Sequence, residues 1–138
     1  APLSAGGTTW AVAICYEAIF GEEVIASLPR AAVLLNVSND AWFGESLAAD
    51  QHLQFSQMRA LETGRWMVRA TNTGVTAVID ARGRIVDSLP MGEAGYLDAR
   101  LPGALPPTPY ARWGEGPVLL LLAGLAFGLW VARRRTSA

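Results

Sequence analysis

The chain has 138 residues, enough for one domain. Apolar residues make up 51 % and charged residues 17 %, with a net charge of −1; that supplies a core and argues against a nucleic-acid-binding surface. All eleven cationic residues are arginines, so no lysine of this chain can act as a catalytic cation, and one histidine (His52) with no zinc-like Cys/His spacing excludes a His-rich metal site.

In chain order, Trp10 to Cys15 reads as a short buried strand ending at the only cysteine. Glu17 to Leu28 has helical spacing, with Pro29 just after it. Ala31 to Asp40 (AAVLLNVSND) is a continuous apolar run ending in Asn and Asp, the pattern of a parallel strand whose sheet is covered on both faces. The stretch AWFGES is loop-like. Leu47 to about Arg65 is predicted as the longest soluble helix, with Leu47, Gln51, Phe55, Met58 and Leu61/Glu62 recurring at helical spacing and the charges on other faces.

Val68–Ala70 and Val75–Ile79 read as strands around a Thr-Asn-Thr-Gly turn. A hairpin then leads to Ile85, with Gly83 supplying the positive φ of its turn. Gly92 to Arg100 is expected to add an extended piece. Residues 101–117 hold five prolines and read as an extended connector rather than core. Pro117 to Ala132 is sixteen residues without a charge, with Trp113 and Trp130 placed toward the two membrane interfaces and Arg133 to Arg135 following immediately. Leucine all round and the arginine cluster favour a membrane span over a buried helix. The positive-inside rule then puts the C-terminus in the cytoplasm and residues 1 to about 112 on the opposite side, the periplasm in a bacterium.

A lone thiol cannot close an internal disulfide, so Cys15 is buried filler, a nucleophile, or half of a bridge to another chain. A thiol at a strand end just before a helix gains from the helix N-terminal dipole, and thiolate nucleophiles suit acyl transfer. Glu17, in the first turn, is either a solvated dipole partner or a site residue. Asn39 and Asp40 end the apolar strand where α/β sheets place ligand groups, or form a plain turn or N-cap. Trp42 and Phe43 line an acyl-chain channel, touch lipid, or pack. Arg69 and Asn72 shape the site or bind a headgroup, the duller role for Arg69 being a salt bridge. His52 invites a cysteine–histidine dyad, but a helix start alone gives that no support.

CYE (Cys15–Glu17), SNDAWFG (Ser38–Gly44), QHLQFSQMRALETGR (Gln51–Arg65) and RATNTGVTAVID (Arg69–Asp80) resemble the nitrilase-like domain of bacterial apolipoprotein N-acyltransferases. TPYARWG, followed by an apolar segment and a basic tail, is also similar to that family's C-terminus. The resemblance implies part of a nitrilase-like α-β-β-α sandwich (residues 1–100), a Pro-rich connector (101–116), one transmembrane helix (117–132) and a basic cytoplasmic tail (133–138). It implies no cofactor or metal. The implied reaction moves an acyl chain from a phospholipid, through a cysteine thioester, to the N-terminal amine of a diacylglyceryl-modified lipoprotein in the inner membrane. Cys15 falls on the family's nucleophile, Glu17 lies near the site, and Tyr16 offers its backbone N–H toward the oxyanion.

The family's base glutamate and its lysine precede the cysteine, whereas the fourteen residues before Cys15 include neither. With a first residue of Ala1, the expectation is the C-terminal part of such an enzyme, inactive alone. The rival expectations are a membrane-anchored carbon–nitrogen hydrolase acting on a small amide, and a catalytically dead, membrane-tethered binding module.

Overall fold

The computed structural model describes residues 2–28, 30–44 and 46–136; the helix-stopping role of Pro29, Glu45 in the loop and the last two residues of the tail lie outside these. Among the described residues six strands form one mixed sheet in sequential order: β1 (Leu3–Ala5), β2 (Thr8–Ile14), β3 (Val33–Ser38), β4 (Trp66–Thr71), β5 (Thr76–Ile79) and β6 (Ile85–Leu89). β2, β3 and β4 are parallel, and the outer pairs are antiparallel. Parallel neighbours need crossovers. These are supplied by a 3-10 turn at Cys15–Ile19 with α1 (Gly21–Ile25), and by α2 (Ala48–Thr63).

Alternation along the strands sends Ala11, Leu34, Met67, Ala77 and Ile79 to one face, where they bury against Val24 of α1 and Leu53 and Ala60 of α2. The next position in the register places Ala13, Asn36, Arg69 and Ala77 side by side across four strands. On the opposite face Val12, Ile14 and Val37 stand exposed, as a sheet built to be covered on both faces requires.

The predicted helix over Glu17–Leu28 is broken in two at Phe20, with a 3-10 turn before it and α1 after. A Cβ on Gly21 would meet the Tyr110 hydroxyl and the Arg59 guanidinium, which is why the break can pack so closely. The predicted stripe of α2 is rotated. Leu47, Met58 and Leu61 are exposed, and the buried face is Ala49, His52, Leu53, Ser56, Arg59, Ala60 and Thr63. Its polar members are buried because each finds a partner: the Arg59 guanidinium donates to the Ile19 carbonyl and Thr63 to the Arg59 carbonyl.

The hairpin is as predicted, with Gly83 at φ 74°. Gly92–Arg100 forms no strand. The connector is irregular until α3 (Pro109–Trp113), whose N-cap Thr108 accepts from the Ala111 N–H. It is tied to the body, since Arg65 donates to the Leu105 carbonyl and Thr108 to the Glu62 carbonyl. α4 (Gly116–Thr136) follows, a helix long and apolar enough to cross a membrane, and none of its most apolar window is buried.

Candidate active site

Cys15 sits where β2 gives way to its 3-10 turn, at φ 51°. Among the described residues it is the only non-glycine with positive φ. For an L-residue this left-handed conformation costs roughly 1–2 kcal/mol, and such strain persists only where the surroundings enforce it. The turn is also pinned from outside: the Glu17 carboxylate accepts from the Ile14 N–H at 2.7 Å, an acid at the third position of the turn reaching back to its N-cap.

Beneath the turn lies a buried polar ring. The Cys15 carbonyl accepts from Asn36 Nδ2 at 3.3 Å and lies 3.0 Å from His52 Nε2; a carbonyl only accepts, so that nitrogen carries the hydrogen. His52 Nδ1 faces Asp40 Oδ1 at 3.2 Å. Arg69 donates to Asp40 Oδ2 at 2.5 Å, and also to Asn36 Oδ1. Ser38 donates to Asp40 Oδ1 at 2.6 Å. Arg69 and Asn36 are wholly buried and Asp40 is 2 % exposed. Burial holds the Arg69 guanidinium below its ordinary pKa, and the opposing pull of Asp40 and the nearby Cys15 offsets this only in part.

The sequence-predicted residues therefore fall into two layers. Cys15 is half-buried, and Tyr16 and Glu17 are exposed beside it, with the Tyr16 ring 5.5 Å from that of His52. Asn39 and Asn72 clasp each other at 2.7 Å on the surface, and Asn72 Oδ1 accepts from the Asp40 N–H. Trp42 is 86 % exposed. The Phe43 side chain lies outside the described residues. Asp40 and Arg69 belong to the lower layer, facing each other rather than solvent.

Sequence reasoning missed Asn36, Ser38 and Ser56, and set His52 aside. A signal was present: Asn36 and Ser38 interrupt an apolar strand at alternate positions, which puts both on one face, and His52, Ser56, Arg59 and Thr63 recur at helical spacing. Among the described residues no cluster of His, Cys, Asp and Glu suits a metal.

The half-buried cysteine thus stands at the end of a parallel strand near the middle of a mixed sheet. The carbon-nitrogen hydrolase family model matches residues 3–105, and the chain belongs to that family. More particularly, it is 54 % identical over 98 % of its length to an apolipoprotein N-acyltransferase of Nitrosomonas europaea, covering 28 % of that relative. The chain spans about a quarter of the length of the curated relatives it matches. Among solved structures it is similar to Saccharomyces cerevisiae Nit3, a member of branch 10 of the nitrilase superfamily, with a TM-score of 0.59 at 20 % identity over 68 % of this chain and 38 % of that one. An amidase from Nesterenkonia sp. AN1, with acrylamide added at its active site cysteine, matches with a TM-score of 0.52 at 22 % identity over 66 % of this chain and 38 % of that one.

Proposed function

We propose that this chain is the nucleophile-bearing part of an apolipoprotein N-acyltransferase of the carbon–nitrogen hydrolase family. Residues 1–100 would form part of the catalytic domain, 101–116 the connector, 117–132 the membrane span and 133–138 a cytoplasmic tail. The observation that carries the reading is Cys15 itself, presented half-buried on a strained turn at the end of a parallel strand. The relatives' name supplies the substrate class.

The Cys15 thiolate attacks the ester carbonyl of a phospholipid acyl chain. The carbon–sulfur bond forms and the lysophospholipid alkoxide leaves, taking up the thiol's proton. The N-terminal amine of a diacylglyceryl-modified lipoprotein then attacks the thioester, forming an amide and returning the thiol. Tyr16 N–H faces the developing oxyanion, and Glu17 holds the turn and borders the site. Asn39, Asn72 and Trp42 form the exposed rim where acyl chain or headgroup lies, above Asp40 and Arg69, and Phe43 is assigned to the same substrate-binding group by its place in the sequence. The base glutamate and the lysine of the family's triad come from residues outside this chain. The catalytic part faces the periplasm from the inner membrane, anchored by α4 with Arg133–Arg135 inside.

The test is Cys15→Ser in a protein that contains this chain, with intact-mass measurement of the acylated intermediate and of lipoprotein acylation. Loss of a phospholipid-derived thioester adduct is expected. Unchanged lipoprotein acylation would remove Cys15 from the mechanism, and ammonia release from small amides without acyl transfer would favour an amidase.

A further inference from the structure

The Cys15–Tyr16 peptide is held from below by two side chains that neighbour each other only in the folded chain. Asn36, on β3, is adjacent in register to Arg69 on β4, and Arg69 donates to its amide oxygen, leaving Nδ2 free to donate to the carbonyls of Ala13 and Cys15. His52, on α2, has one ring nitrogen at Asp40 and the other at the Cys15 carbonyl. Arg69 and Asp40 bond each other. The hydrogen bonds thus close a ring: Cys15 carbonyl, Asn36, Arg69, Asp40, His52, and back to the Cys15 carbonyl.

We propose that His52 and Asn36 are positioning residues that lock the Cys15 turn in its left-handed conformation by donating to the Cys15 carbonyl, and that Arg69 and Asp40 aim those two donors. A trans peptide is planar, with its N–H opposite its C=O. Drawing the Cys15 oxygen into the core therefore turns the Tyr16 N–H outward, the direction an oxyanion donor needs. This use of the ring rests on the acyl-transfer reading of Cys15; the locking of the turn does not.

A thermal comparison separates the two. Glycine tolerates φ 51° and alanine does not, so in the full chain in detergent micelles Cys15→Gly is expected to melt above Cys15→Ala by roughly 3–6 °C. Adding His52→Ala to both should close or reverse that gap, because residue 15 can relax. His52→Gln, which restores a donor of similar reach, should keep it. If His52→Ala does not fold, His52→Leu serves as the donorless variant. An undiminished gap without the donor, or a gap lost equally with His52→Gln, overturns the proposal. None of these variants retains the thiol, so the result is independent of whether Cys15 carries an acyl group, which the Cys15→Ser experiment decides.

Discussion

Arg69 and Asp40 form an ion pair at 2.5 Å with the arginine side chain wholly buried and the aspartate nearly so. A buried pair is weak evidence of net stabilisation, but breaking one leaves a charge without its partner. Arg69→Met or Asp40→Asn alone should therefore cost about 3–5 kcal/mol. The double variant should cost clearly less than the sum. Urea denaturation of the chain in micelles measures all three, and strict additivity would show that the two charges do not act on each other.

The turn after β4 has no room for a side chain at Gly74. A Cβ there would run into Asp40 Oδ2 and stand only 2.9 Å from its Cγ and 3.0 Å from its Cβ. Gly74→Ala should lower the melting temperature, costing about 1–3 kcal/mol, because Asp40 is fixed by Ser38, His52 and Arg69 and cannot yield. Gly103→Ala, with nothing within 4 Å, is the control and should melt as the parent does.

Asp80 closes the β5–β6 hairpin. Burial pushes its carboxyl up, but hydrogen bonds from the Arg84 N–H and guanidinium and from the Arg82 N–H outweigh this and hold it below its ordinary value. A carboxyl depressed in the folded state stabilises above its unfolded pKa, about 3.9. That stabilisation is lost as pH falls through the lower folded value. Asp80→Asn should flatten this acid limb of the stability curve and leave a chain less stable at neutral pH. An acid limb of the same steepness in the variant would assign it to other groups.

Among the described residues nothing covers the apolar surface of α4, Leu120 being 75 % exposed and Leu129 73 %. If the bilayer covers it, an arginine at Leu122 should be opposed by about 2.5–3.5 kcal/mol at the span's centre. Leu122→Arg should then move the chain from the alkali-resistant membrane fraction of a bacterial host to the soluble or aggregated one. Undiminished retention would place membrane attachment elsewhere.

Which parts were legible follows from the range of the interactions. The strand ending at Cys15, the β3 run, the hairpin about Gly83 and the apolar C-terminal helix are carried by local period and turn chemistry, so neighbouring residues disclose them. The face of α2 is different. A leucine at position 47 and a methionine at 58 outweigh a histidine and an arginine in any apolar count, yet the structure buries His52 and Arg59 and exposes Leu47 and Met58.

By itself, then, the sequence determined the central strands, the long helix that follows β3, the membrane-length helix and, through resemblance, the cysteine to watch. Only the tertiary structure decided what stands beneath that cysteine. His52 lies 37 residues from Cys15, and Arg69 lies 29 from Asp40. Burying such groups is unfavourable until their partners arrive at hydrogen-bond distance. That arrival depends on the parallel register of β3 and β4 and on the rotation of α2, neither of which any one segment encodes alone.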